Sequence, residues 1–382
     1  MPTRRLSFIL PWLALPALIG CSGSATDPPL SPAALAAVSA TADVPRAALA
    51  REIDRLFTDD EAGETRAVLI LHNGRIVAER YAPGYSRQTR FLGWSMSKTV
   101  TAAMIGLMVS DGRLRLDDPA PVPSWQRPGD ARGEITLREL LQMRSGLRHT
   151  EQDRPVFRSD NVRMLVGDGR DDMAAHAEAE PLEAEPGSTF EYSSATTLIL
   201  ADLAARALTA SPDPTIRNAA VSDYLHTRLL DPLGMRSTVP EFDAAGTLIG
   251  SSMIHAPVRD WARFGEFLRN GGAVKGAQIV PRAWVEFMTT ASPRNPAYGA
   301  QVWLNRRPFD GQDVLFPSRA PASLFACIGY YGQFLIVSPA QGLTLVRIGR
   351  TGPDGAVPLR DHLARIVALF PRQSSATAAS RR

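Results

Sequence analysis

The sequence predicts an α/β (α+β) fold: an antiparallel sheet built from both chain ends, flanked by terminal helices, with a mainly helical subdomain inserted between. Three observations lead there. Asn73-Gly74 joins two apolar runs early in the chain, a second pair of such runs lies near the end, and the long stretch between them carries few strand signals. Two hairpins at opposite ends of one chain bury their apolar faces most simply by joining in one sheet.

Residues 1–20 form a targeting segment, with Arg4-Arg5 ahead of an apolar core at 8–19 that is too short to span a bilayer. The segment ends in Leu18-Ile19-Gly20-Cys21, which resembles a bacterial lipobox with Cys21 as the lipidated residue. The expectation is a lipoprotein of the bacterial envelope, facing the periplasm and membrane-anchored through Cys21. Residues 21–45, rich in Ser, Ala, Pro and Thr, read as a flexible tether. Over 45–57, Leu49, Ile53 and Leu56 share one helical face. Ala67-Val68-Leu69-Ile70-Leu71 and 75–81 follow as strands around Asn73-Gly74, a pair suited to a tight turn that needs positive φ.

The second hairpin comprises 333–338 and 343–348, turning over Pro339-Ala340-Gln341-Gly342. If these strands pair about that turn, facing residues have numbers that sum to roughly 681, which sets Arg350 opposite Tyr331. A closing helix is expected over 359–370 and a frayed tail from Gln373. The folded domain is expected to span 46–372.

Of the 42 basic residues only two are lysines, Lys98 and Lys275, and Lys98 stands three residues after a serine in Ser95-Met96-Ser97-Lys98. Arginine stays protonated in proteins, whereas a desolvated lysine can lose its proton and act as a base. Val100, Ala103, Met104, Leu107 and Met108 keep a helical rhythm, the opposite face is barely polar, and Asp111-Gly112 supplies a stop. Ser95 and Lys98 therefore fall on one face at the N-terminus of a buried helix. That is an arrangement for a nucleophile and its base.

Further on, Glu191-Tyr192-Ser193-Ser194 offers a tyrosine and a serine two residues apart, and Gly329-Tyr330-Tyr331-Gly332-Gln333 places glycines where backbone can approach a ligand. Cys327 lies in the apolar run Leu324-Phe325-Ala326-Cys327-Ile328, as a buried structural thiol.

Ser95-Met96-Ser97-Lys98, Tyr192-Ser193-Ser194 and Gly329-Tyr330-Tyr331-Gly332-Gln333, in that order, resemble the three active-site elements of the serine β-lactamase and penicillin-binding-protein superfamily. Ser145-Gly146-Leu147, Pro186-Gly187-Ser188-Thr189-Phe190 and Trp261-Ala262-Arg263-Phe264-Gly265 supply similar context, so the resemblance runs from about residue 50 to 370. It leans toward the class C-like esterase and amidase branch, and the Tyr-x-Ser element is similar to that of 6-aminohexanoate-dimer hydrolases.

The resemblance implies the β-lactamase/transpeptidase fold and a serine hydrolase acting on small esters or amides. Ser95 would be acylated, Lys98 would accept its proton and Tyr192 would shuttle a proton to the leaving group. Ser194, where many relatives carry Asn, would position Lys98 or the substrate amide, and the N–H groups of Ser95 and Gln333 would form an oxyanion site. Tyr330 stands where β-lactamases and transpeptidases place a lysine for the substrate carboxylate. Its presence favours neutral esters or amides, or a carboxylate held by an arginine such as Arg350. A β-lactamase or D,D-peptidase and a non-catalytic envelope binding module are the alternatives.

Ser159-Asp160-Asn161 reproduces another element of that superfamily but sits well before Tyr192, and reads as a polar surface loop. Arg350-Thr351-Gly352 mimics a Lys-Thr-Gly element but follows a strand instead of opening one. The six histidines show no metal-ligand spacing, no phosphate-binding glycine loop occurs, and a net charge of +3 without basic runs gives no nucleic-acid footprint. No cofactor, metal or nucleic acid is expected.

Overall fold

A computed structural model describes residues 29–40 and 44–373. The expected targeting segment, the lipidation candidate Cys21 and the chain beyond Gln373 lie outside the described residues.

The helices that frame the domain are α1 (Pro32–Ala37), α2 (Arg46–Thr58), α3 (Ser97–Ser110), α4 (Ser194–Leu208), α5 (Val258–Arg269) and α6 (Ala356–Ala368). The central sheet contains β1 (Glu64–His72), β2 (Arg75–Tyr81), β3 (Trp303–Leu304), β4 (Phe325–Gly329), β5 (Gln333–Ser338) and β6 (Leu343–Arg350), in the spatial order β2-β1-β6-β5-β4-β3. Every neighbouring pair in it is antiparallel. Both expected hairpins form, and β1 of the first pairs with β6 of the second, so the two chain ends close one sheet. Asn73 and Gly74 take the positive φ values of 52° and 77° that the tight turn requires.

Strand alternation divides the core. Ala67 and Leu69 of β1 with Val346 and Ile348 of β6 face α3, α4 and α5. Val68, Ile70, Leu343 and Leu345, at positions of the opposite parity along the same strands, face α2 and α6 on the other side. The inserted region is mainly helical, as expected, and α3 is buried along nearly its whole length. Its stability therefore comes from burying Val100, Met104, Ile105 and Met108, each worth roughly 1.5–3 kcal/mol, and not from exposed-face pairs.

Three expectations need correction. The tether contains α1: Ser31 caps it, Ala34 is buried, and Val38 bridges to Ala78 at the edge of β2. Small apolar side chains in an Ser/Ala/Pro-rich stretch suffice to pack once a sheet edge is there to receive them. The closing helix starts near Ala356, three residues earlier than its apolar rhythm suggests, because Pro358 is tolerated in a first turn. Gln373 is tied down, its N–H donating to Ala340 O at 2.8 Å, so the end of α6 is stapled to the β5–β6 turn.

Candidate active site

The chain enters α3 through a tight helical turn, Trp94–Met96. Trp94 holds φ at +48°, a region ordinary residues avoid. Its indole is held edge-on by Tyr330 and Tyr331, at ring-centre distances of 5.6 and 6.4 Å. Gly93 is pressed against the Trp261 ring, where an added methyl would come within 2.4 Å. The turn is thus fixed from both sides, leaving Ser95 half-buried and open to solvent at the head of α3.

Lys98 follows one turn later and is 1 % exposed. Its Nζ lies 3.2 Å from Ser95 Oγ, 2.8 Å from Ser194 Oγ and 3.1 Å from Ser251 O. Two of these partners settle its orientation. Ser251 O can only accept. Ser194 Oγ–H is committed to Glu151 Oε1 at 2.7 Å, and a carboxylate only accepts, so Ser194 too must accept from lysine. The third tetrahedral position of Nζ, an N–H in the ammonium or the lone pair in the amine, points at Ser95. Burial lowers the Lys98 ammonium to about 8, against an opposing pull from the Glu151 carboxylate.

Tyr192 lies beside the same pair, its ring centre 5.1 Å from Lys98 Nζ, and Ser95 is among the groups that act on its phenol. Burial and the nearby Glu151 charge push its phenol well above the usual range, so it stays protonated and able to donate. It is walled by aromatic rings, stacked on Trp303 at 5.4 Å and edge-on to Tyr298 at 5.8 Å. Ser194 opens α4, whose N-cap is Ser193, contributing about 1 kcal/mol. Gln301, at φ +60°, braces the two helices: its O accepts from Thr99 on α3, its Oε1 accepts from Thr197 on α4, and its Nε2 donates to Leu141 O.

The sequence-derived set is therefore largely brought together, with exceptions. Tyr330 stands at the mouth, 48 % exposed. The expected register holds, with Phe334 opposite Arg347 and Leu335 opposite Val346. It sets the Arg350 guanidinium over the Tyr331 ring at 5.4 Å, and no carboxylate among the described residues holds it. The Gln333 side chain is turned into the sheet: it donates to Tyr330 O and Gly349 O and accepts from Gly349 N, locking β5 to β6. Gly332, at φ +74°, serves the turn; a methyl there would strike Leu359 and Arg347 on the far face of the sheet. The position beside the nucleophile is Gly329, where an added methyl would come within 2.3 Å of Gly93 O. Glycine is required there for close strand approach.

Sequence reasoning missed Glu151 and His149. Glu151 Oε2 accepts from the Ser194 N–H at 2.7 Å and sits 2.9 Å from His149 Nε2. The pair follows Ser145-Gly146-Leu147, the one local signal that marks the loop. Ser159-Asp160-Asn161 is not a surface loop: Ser159 is buried and caps the helix Asp160–Val166. Asp160 there accepts the Thr150 N–H, and Asn161 Nδ2 donates to Glu151 Oε1 at 3.3 Å. That element supports Glu151 and does not touch Lys98. Cys327 is buried, its thiol pushed up to about 12 by burial, as expected of a structural residue. Among the described residues no cluster has the make-up of a metal site.

The chain is 25 % identical over 331 residues to the 6-aminohexanoate-dimer hydrolase of Paenarthrobacter ureafaciens, covering 80 % of this chain and 78 % of that one. Among solved structures it superposes on a candidate 6-aminohexanoate-dimer hydrolase from Bacillus anthracis with a TM-score of 0.65, 20 % identity and coverage of 84 % and 83 %. A family VIII carboxylesterase follows the same fold, with a TM-score of 0.59, 15 % identity and coverage of 84 % and 97 %. The family model for β-lactamase matches residues 53–369, and with the sheet, α3 and the Ser95–Lys98 head of that helix in place, the chain belongs to the β-lactamase family of hydrolases.

Proposed function

We propose that the protein is a serine hydrolase that cleaves small esters or amides through an acyl-enzyme on Ser95. One observation carries the reading: a buried lysine, lowered to about 8, aims its third tetrahedral position at a solvent-open serine 3.2 Å away. Lys98 takes the Ser95 proton as Oγ attacks the carbonyl carbon; Tyr192 then hands its proton to the departing alkoxide or amine as the Lys98 ammonium returns one to its oxygen, so no buried tyrosinate is left. A fluorophosphonate probe tests the nucleophile. A panel of p-nitrophenyl esters, linear amides and nitrocefin tests the substrate class, with ester or amide turnover expected to exceed nitrocefin turnover. The reverse ranking returns the protein to β-lactamase chemistry, and an inert, unlabelled serine makes it a binding module.

The oxyanion is received between the first-turn N–H of Ser95 and the strand edge at Gly329–Tyr330. Removing one such donor costs about 10²–10³ in rate. Gly329→Ala drives a methyl into Gly93 O and displaces that edge, so kcat falls by about that factor while KM changes less. A Gly329→Ala enzyme with native kcat places the oxyanion elsewhere.

Arg350 holds a substrate carboxylate on the side of the mouth that Tyr330 leaves uncharged, by a two-point guanidinium grip. Arg350→Gln is expected to lower kcat/KM about tenfold on a carboxylate-bearing ester and to leave the neutral analogue unchanged. Equal responses of the two esters end the idea.

A further inference from the structure

We propose that Glu151 is a positioning residue of the acylation step: acting through Ser194, it aims Lys98 Nζ at Ser95 and stabilises, as a fixed counter-charge, the ammonium that forms when lysine takes the serine proton. The inference rests on the Ser95–Lys98 reading above and extends it by a residue that touches neither nucleophile nor substrate.

Geometry carries it. Both carboxylate oxygens are used: Oε1 accepts from Ser194 Oγ at 2.7 Å and from Asn161 Nδ2 at 3.3 Å, and Oε2 accepts from Ser194 N at 2.7 Å and His149 Nε2 at 2.9 Å. The side chain is 17 % exposed and its carboxylate is turned inward onto these donors. His149 is buried, and its Nδ1 has no partner. A carboxylate only accepts, so Nε2 carries the hydrogen that Glu151 receives. Ser194 thereby has its backbone N–H and its hydroxyl hydrogen both directed at one carboxylate, and its lone pairs are left for Lys98. A serine alone could rotate its hydrogen toward the lysine and lose that contact.

The proton count gives the counter-charge its role. Before acylation the competent base is the neutral amine. As the Ser95 Oγ–carbon bond forms, the Oγ proton moves to Nζ, the carbonyl π electrons move to oxygen, and a cation appears in a dry pocket. An ammonium there without a partner is strongly disfavoured, and Glu151 supplies the opposite charge one hydroxyl away. Glu151 is ionised in spite of burial, which alone raises a carboxyl, because Lys98, His149 and Ser194 together outweigh it and hold it below the ordinary range. The groups that face this pair are Tyr192 ahead of α4, His149 in the loop of Glu151 itself, Tyr298 ahead of β3, and Asn161 and Asp160 at the head of the Asp160–Val166 helix. Among the described residues near the pair, Glu151 is the carboxylate whose charge acts on Lys98, and Asp160 is turned to the Thr150 N–H.

The test is the pH profile of kcat/KM on a neutral ester for wild type, Glu151→Gln and Glu151→Asp. An anion beside lysine favours the ammonium, so its removal moves the acid limb to lower pH, by about one unit. Loss of the counter-charge and of the aim lowers the alkaline plateau by about 10–10²-fold, mostly in kcat. Glu151→Asp, which keeps the charge one methylene short, keeps the limb in place and lowers the plateau. A role confined to packing changes thermal stability and leaves the limb unmoved, and a folded Glu151→Gln enzyme with the wild-type limb overturns the proposal. Should that variant not fold, Glu151→Asp decides: an unaltered plateau excludes a positioning role. Ser95→Ala and Lys98→Arg in the same assay separate the two readings. If they stay active, the Ser95–Lys98 mechanism fails; if they are dead while Glu151→Gln keeps the wild-type limb, only the role of Glu151 fails.

Discussion

Ser95→Ala abolishes ester turnover and fluorophosphonate labelling, with kcat/KM falling by about 10⁴–10⁶, while the fold persists. The serine is half-buried in the turn that leads into α3, where its neighbours Gly93, Trp94 and Met96 are held by Trp261, Tyr330 and the core. None of those contacts uses Oγ, which accepts from Lys98 Nζ at 3.2 Å. Truncation therefore removes the nucleophile and little else, and far-ultraviolet circular dichroism with a melting curve should match wild type. Activity above a few per cent of wild type in a folded variant would move the nucleophile to another residue.

Lys98→Arg is expected to be nearly as damaging as Lys98→Ala, lowering kcat/KM by about 10³-fold or more, although the charge is kept. Two effects act together. Guanidinium does not lose its proton near neutral pH, so the general base is gone. The pocket is also built for a point donor with acceptors at 2.8 and 3.1 Å, and a planar fork cannot satisfy Ser194 Oγ and Ser251 O while facing Ser95. In wild type the sign of the pH dependence follows from the base form. The amine is the competent state and the ammonium titrates at about 8, so kcat/KM climbs as pH rises through about 8 and levels above it. An arginine variant that stays active, or a wild-type profile without that acid limb, would reduce Lys98 to an electrostatic prop.

Local chemistry made much of this protein legible in one dimension. Asn73-Gly74 demands a tight turn wherever it stands, and the β5–β6 register, hence the place of Arg350 beside Tyr331, follows from the length of the turn between two alternating runs. Ser95 and Lys98 share a face because three residues on a helix always do. Burial of α3 followed from an apolar pattern nearly all the way round, and with it the lowered lysine.

Only the tertiary structure decided what surrounds that lysine. Glu151, Ser194 and Ser251 come from three segments separated by tens of residues, and nothing periodic in a loop announces that its carboxylate will meet a helix head. The roles of Gly329, Gly332 and Gln333 were equally hidden. One glycine-rich motif contains a residue pressed on the nucleophile turn, a residue that only makes the bend, and a side chain that locks the next strand. Which is which depends on the face of the sheet each presents and on what packs there. A short motif read without its neighbours cannot carry that information, because the neighbours arrive from elsewhere in the chain.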